Sequence, residues 1–279
     1  MGAISVNGNL YEIGVPVMRW DEPGGYNGYS TKKYVTEVED RKTGKVKKKV
    51  VKGKRYSKRA LTQAGAIKKV SSFTIHHTGG YTPGSCFNTL HNDRKLSVHF
   101  IIDDFGTIYQ TLDVIEKAWH AGSQNKCSVG VECCLRPDAK KHPDAYRASK
   151  CARLGLAPHE EIISQHIQGS DKSVYAMPKD QVESLSKLVA GVWHARSKEL
   201  PPDYSLKAYV PPIFPGVEGD IPTDFSPAYK KHVGLVLHAH VSPRKWDAAG
   251  LRLREFELSV AEDFRKFQKD ASLGLFDND

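Results

Sequence analysis

A histidine, a lysine and an aspartate crowd the stretch Leu235–Gly250, LVLHAHVSPRKWDAAG. An apolar run from Val233 to Leu237 delivers His238 to the end of what reads as a buried strand. Pro243 then breaks regular structure, and Arg244, Lys245 and Asp247 follow. Such groups at one strand-to-loop junction suit a metal-assisted hydrolase. Upstream, His76, His120 and Glu132 also sit at strand ends or beside loops and are the wrong types for simple packing. A catalytic zinc takes three nitrogen, oxygen or sulfur ligands and leaves a fourth position to water. His76, His238 and Asp247 supply two imidazoles and a carboxylate. Asp247 lies nine residues after His238, too far for one helical face, so a loop between Pro243 and Gly250 must return it. Any one of the twelve histidines is more often a surface or core residue than a ligand. The joint arrangement carries the reading.

The elements that must position these groups follow from periodicity. Residues 1–69 are β in character: Tyr34 to Glu39 alternates, Lys42 to Lys45 reads as a turn, and Val46 to Val51 resumes a strand. Across that hairpin Glu37 and Glu39 are expected to face lysines such as Lys47 or Lys49. The domain proper is expected at 70–270. Ser71 to Ile75 is a short strand ending in His76-His77, and Thr82-Pro-Gly-Ser85 starts a helix. Leu96 to Asp103 and Thr107 to Leu112 form a hairpin, and Cys127 to Leu135 is a strand enclosing Glu132. Arg136 to about residue 177 is polar and expected as a helical and loop insertion. Pro178 opens an amphipathic helix carrying Val182, Leu185, Leu188, Val189 and Val192. A second insertion, about 200–232, is proline-dense between Leu200 and Asp224 and expected outside the core. A terminal helix near Arg252–Lys269 precedes a frayed tail, 271–279.

Composition narrows the classes. The chain has 279 residues, 39% of them hydrophobic, enough for a sizeable core. No apolar run approaches the ~20 residues of a membrane span. The first twenty residues lack a basic segment followed by an apolar one, so no signal peptide is expected and synthesis in a cytosol is. The chain opens Met-Gly, but Val6 stands where an acylation motif needs Ser or Thr. Five cysteines form no even framework and no CxxC pair, and read as reduced structural thiols. The net charge of +9 is local: Arg41 to Arg59 holds eleven Lys or Arg and no acid. Without them the bases fall just below the 32 Asp and Glu. A near-neutral body with one basic patch argues against a nucleic-acid groove spread over the surface.

TIHHTGG, SVHFIIDDFGTIYQ, AWHAG, CSVGVE and HAHVSPRKWDAAG occur in an order that resembles zinc-dependent N-acetylmuramoyl-L-alanine amidases of the type 2 superfamily, which includes peptidoglycan-recognition proteins. The resemblance covers about 70–135 and 178–268. It implies His76, His238 and Asp247 as zinc ligands, Lys245 as the basic catalytic residue and Glu132 as the acidic one used by the anhydro-muropeptide branch. His240 does not keep the register of a ligand, and His77 occupies a variable position. Val98 stands where phage lysozyme-type enzymes carry a tyrosine, which leaves Glu132 as the base. His120 resembles a groove-lining position, with a structural role as the alternative. Trp119 and Trp246 either wall the groove or pack in the core, and Arg244 meets a substrate carboxylate or a surface ion pair. His99 reads as a satisfied core histidine, or one that supports a ligand from behind, rather than a ligand. Asp247-Ala-Ala-Gly250 replaces the usual Asp-Pro-Gly, which should loosen the loop but keep the ligand.

The expectation is an α/β domain: a mixed central sheet flanked by helices, with a β-rich N-terminal extension and an internal insertion. Its cofactor is one zinc ion and its substrate peptidoglycan or muropeptides, the bond being the amide between N-acetylmuramic acid and L-alanine. The setting implied is wall lysis, as a phage lysin or delivered effector acting at the bacterial wall. The rival readings are a peptidoglycan-binding module without catalysis and a nucleic-acid-binding protein working through Arg41–Arg59. Stem-peptide chemistry and oligomeric state are not legible.

Overall fold

The strands bearing the candidate chemistry alternate apolar and polar residues, and that alternation sets the layers. The computed structural model describes residues 2–39, 46–202, 204, 210–214 and 223–272, and for 32–52 the backbone alone. In chain order, β1 (Ala3–Val6) and β2 (Asn9–Glu12) form an antiparallel hairpin. β3 (Val17–Arg19) follows, then a hairpin of β4 (Lys32–Glu39) and β5 (Val46–Gly53), then β6 (Tyr56–Lys58) and α1 (Gln63–Lys68). β7 (Ser72–His77) leads to α2 (Pro83–Phe87), whose N-cap Thr82 accepts the Ser85 amide, and to a π-helical turn, Asn88–Asp93. β8 (Phe100–Ile102), β9 (Ile108–Gln110), β10 (Glu116–Ala118) and β11 (Ser128–Cys133) precede α3 (Ala148–Leu154). Next come the hairpin β12 (Ile162–Ile167) and β13 (Ser170–Tyr175), then the long α4 (Lys179–Glu199). β14 (Gly234–Leu237), the single turn α5 (His238–Val241) and α6 (Leu253–Ser272) follow.

The central sheet has the order β14-β7-β11-β8-β9-β3. Its first four strands are parallel, β8 and β9 antiparallel, and β9 and β3 parallel again, which makes the expected mixed sheet. Phe73 and Ile75 of β7 and Val129, Val131 and Cys133 of β11 share one core with Leu185, Leu188, Val189 and Val192 of α4 and Phe256, Val260 and Phe264 of α6. Each such side chain contributes about 1.5–3 kcal/mol by leaving water. The alternate residues, Thr74 and His76 on β7 and Ser128, Gly130 and Glu132 on β11, take the opposite face. There the Thr74 and Ser128 hydroxyls hydrogen-bond at 2.6 Å. The parallel register sets Glu132 beside His76. Farther along that face, α2 and the π-helical turn cover β8, with Cys86, Val98, Ile101 and Cys134 buried against Phe87 and Leu90. Val98 thus fills an apolar cluster. All five cysteines are free thiols, as expected.

Several expectations give way. The segment before residue 70 is laced into the body: β3 forms the sheet's edge, β6 pairs with β10, and Ile4, Val6 and Ile13 sit in the main core. Gln110 takes both the Ser5 amide and carbonyl, and Asp113 accepts from the Ser5 hydroxyl and the Asn7 and Gly8 amides. Two members of the basic run, Arg55 and Arg59, are buried rather than part of an exposed basic patch. The Arg59 guanidinium donates to the carbonyls of Glu116, Ser128 and Asn125. Burial pulls its pKa down to about 10, so it remains a cation at neutral pH. In the β4–β5 hairpin the backbone register does set Glu37 opposite a lysine, Lys48 rather than Lys47 or Lys49, but sets Glu39 opposite Val46. The turn at 42–45 lies outside the described residues. Within the polar insertion the structure adds the β12–β13 hairpin. Leu200 and Ile213, expected outside the core, are buried. Extended, proline-bearing backbone suits a sheet edge: Pro212 accepts the Leu235 amide and Phe214 donates to the Leu235 carbonyl.

Candidate active site

His76 is the last but one residue of β7, His238 follows β14, and Asp247 lies on the loop after α5, and the fold brings all three together. His76 Nδ1 and His238 Nδ1 are 2.9 Å apart, and Asp247 Oδ2 lies 3.2 Å from the first and 2.7 Å from the second. Three lone-pair atoms at such spacing fit one cation. Tetrahedral ligands on bonds of about 2.0–2.1 Å stand about 3.3 Å apart, and a cation satisfies all three at once, whereas an imidazole–imidazole contact consumes a proton. The protonation states also suit a metal. Burial and the neighbouring His238 push His76 down to about 4, so it is neutral at pH 7. Burial raises Asp247, but hydrogen bonds from His238 and His76 outweigh it and hold the carboxyl well below its usual range. Among the described residues this is the one His/Cys/Asp/Glu group close enough to hold a metal.

With Nδ1 turned to the cluster, His76 Nε2 meets His120 Nδ1 at 3.0 Å, which orients the ring. His120 finds room because residue 130 is glycine: a Cβ there would stand 2.7 Å from the His120 ring. His120 Nε2 is buried without a hydrogen-bond partner, and so is Glu132 Oε2. Burial first and the Asp247 charge second raise the Glu132 carboxyl to about 8, against the pull of Lys245 and Arg94. A carboxyl so poised gains and loses a proton near neutral pH. His99 lies behind, its Nδ1 accepting the Gly130 amide and its Nε2 meeting the Glu116 carbonyl, the satisfied core histidine expected.

The cleft over these groups, about 330 Å³, is lined by His76, His120, Glu132, His238, Lys245 and Asp247 together with Arg94 and Arg136. Arg94 and Arg136 are absent from the sequence reading, because isolated arginines in polar stretches carry no local signal. Arg244 and Trp246 line a neighbouring groove of about 580 Å³ that meets the cleft at Lys245. Trp119 lines neither; its backbone pairs with Ser97. His240 turns away and accepts the Leu237 amide on Nδ1. The loop expected to be loose is not: Asp247, Ala248 and Ala249 are buried. The Ala249 amide donates to His77 Nδ1 at 3.2 Å, the Asp247 carbonyl accepts the Ala239 amide, and Trp246 packs edge-on against His77. His77 thus holds the loop that carries Asp247, a role its variable position conceals.

Residues 67–249 match the N-acetylmuramoyl-L-alanine amidase family. Over 104 residues the chain is 28% identical to the N-acetylmuramoyl-L-alanine amidase XlyA of Bacillus subtilis strain 168, covering 36% of this chain and 35% of that one. It therefore spans about a third of the length of that curated relative. Among solved structures, the E. coli N-acetylmuramyl-L-alanine amidase AmiD, in complex with anhydro-N-acetylmuramic acid-L-Ala-D-γ-Glu-L-Lys, is similar at 15% identity and a TM-score of 0.40 over 68% of this chain and 57% of that one. The endolysin LysCS of Clostridium intestinale is similar at 15% identity and a TM-score of 0.37, over 70% and 86%.

Proposed function

Since the chain belongs to the N-acetylmuramoyl-L-alanine amidase family, we propose that it hydrolyses the amide joining the lactyl group of N-acetylmuramic acid to the L-alanine of the stem peptide. The observation that carries this reading is the meeting of His76, His238 and Asp247 beside an unpartnered buried carboxyl on the neighbouring strand. His76 and His238 would hold zinc through Nδ1 and Asp247 through Oδ2. Zinc, when bound, polarises the scissile carbonyl and lowers the pKa of its water to about 7. Glu132 takes the proton of the attacking water on Oε2 and passes one to the leaving amine. Lys245 sets a positive charge against the oxyanion, an effect often worth about 3 kcal/mol. His120 Nε2, buried and unpartnered beside the cleft, is a further donor. Arg244 and Trp246 serve substrate in the adjoining groove.

We place the action at the bacterial cell wall, in lysis by a phage lysin or a delivered effector. No helix among the described residues is long and apolar enough to cross a membrane. The test is digestion of purified sacculi and of soluble muropeptides by zinc-loaded protein, with mass spectrometry of the products. Free stem peptides beside intact glycan strands support the amidase. New reducing ends, cut crossbridges, or muropeptide binding without cleavage or stoichiometric zinc sink it. The ratio of sacculus to muropeptide turnover separates lysis from recycling of soluble fragments.

A further inference from the structure

Lys245 and Asp247 sit on an irregular segment, 242–252, which is held from outside by the inserted β12–β13 hairpin. The hairpin closes on a two-residue turn with both residues left-handed, Gln168 at φ +54° and Gly169 at φ +72°, the turn geometry that matches strand twist. From this tip the Gln168 carboxamide reaches across. Its Nε2 lies 2.8 Å from the Ala239 carbonyl, 2.9 Å from that of Lys245 and 3.2 Å from that of Ser242, two N–H groups shared among three acceptors. Three residues earlier Gln165 closes the other end of the segment: Oε1 accepts the Gly250 amide and Nε2 donates to the Leu251 carbonyl, each at 2.7 Å. The tip is itself moored. Gly169 donates to Asp224 Oδ1, Thr223 to the His166 carbonyl, and Phe225 to Gln168 Oε1.

We propose that Gln168 and Gln165 are positioning residues, and that the inserted hairpin is a splint for the loop carrying Lys245 and Asp247. Gln168 holds the Lys245 end and Gln165 the Asp247 end. Neither glutamine lines the cleft; Gln168 borders the adjoining groove with Arg244 and Trp246, but its carboxamide is taken up by the backbone carbonyls it holds. The inference rests on the amidase reading above. Its physical basis is that misplacing a reacting group by about 1 Å costs on the order of 10²-fold in rate. Within this segment, Lys245 has one backbone bond of its own, to Ser242.

The test uses the full chain, zinc-loaded, with a soluble muropeptide. Gln168→Glu keeps the size of the side chain but turns an acceptor on three carbonyls; Gln168→Met keeps its length without polarity; Gln165→Glu does the same at the other end as the first. Melting temperature confirms folding, and Gln168→Met decides if the charged variant does not fold. Both Gln168 variants are expected to lose about tenfold or more in kcat, with KM and zinc affinity within about twofold of wild type. Gln165→Glu is expected to weaken zinc binding, measured by chelator competition, by about tenfold or more. A kcat within twofold of wild type in folded Gln168 variants, or unchanged zinc affinity in Gln165→Glu, overturns the proposal. Wild-type protein that binds zinc but leaves the muramyl amide intact overturns the amidase reading instead, and the zinc affinities still test the splint.

Discussion

Replacing Gly130 by alanine perturbs the site while leaving His76, His238, Asp247 and Glu132 unaltered. The added Cβ would stand 2.7 Å from Nδ1 and 2.8 Å from two carbons of the His120 ring. Ordinary carbon contacts begin near ~3.5 Å. The ring must therefore retreat by about 0.8 Å, because β11 is pinned between β7 and β8 and does not yield. That movement opens the 3.0 Å bond from His76 Nε2 to His120 Nδ1 past hydrogen-bond range. Overpacking of this size costs about 1–3 kcal/mol, and on the proposal that His76 holds zinc, losing its orienting partner costs about 10–100-fold in metal affinity or activity. The assay is kcat/KM on a muropeptide together with zinc affinity and urea unfolding. A double-mutant cycle sharpens it: with His120→Ala already present the clash is gone, so Gly130→Ala should add less than about 1 kcal/mol. A folded Gly130→Ala protein with kcat/KM and zinc affinity within twofold of wild type would refute the reasoning.

Glu132→Gln should bind stoichiometric zinc, read by atomic emission, and lose at least about 10²-fold in turnover; undiminished turnover removes Glu132 from the mechanism. Arg59→Ala withdraws a charged donor from buried carbonyls and should cost about 3 kcal/mol or more in urea unfolding; a cost under about 1 kcal/mol would show that Arg59 is not an anchor. Burial raises the Glu199 carboxyl, but the Tyr11, Asn7 and Asn9 donors outweigh it and leave it lowered. A lowered carboxyl stabilises the fold fully above its unfolded pKa of about 4.3 and loses that contribution as pH falls through the folded value. Wild type should therefore exceed Glu199→Gln in stability at pH 7, with the gap closing below about pH 4; a gap independent of pH contradicts the linkage.

The meeting of His76, His238 and Asp247 is readable from sequence because each follows a local signal that is modest alone and tells jointly: an apolar run, a strand end, or a breaker such as Pro243. Glu132 stands out in the sequence as an acid inside an apolar alternation, while its proposed role as base comes from the resemblance. What stays hidden is whatever depends on a partner distant in the chain. Arg55 and Arg59 look like members of a basic surface run, and only the folded chain shows carbonyls from residues 91–128 waiting for them. His77 looks expendable beside His76 until the Ala249 amide arrives. The β12–β13 hairpin did carry a signal, Gln168-Gly169 between two alternating runs. It is weaker than Asn-Gly, because glutamine is an uncommon left-handed residue. Gly130 was similarly open to reading, since a glycine inside a strand often marks a close approach by another group.

The interlacing of the first seventy residues bears on how this protein can be recombined. One such recombination excises the stretch that carries the site and joins it to another module. A splice at residue 70, where the recognisable motifs begin, would strip the sheet of its β3 edge, leave β10 without its β6 partner, and take the Arg59 and Ser5 clasps with it. The exchangeable unit starts at β1. A junction beyond Ser272, past the last turn of α6, cuts none of these ties.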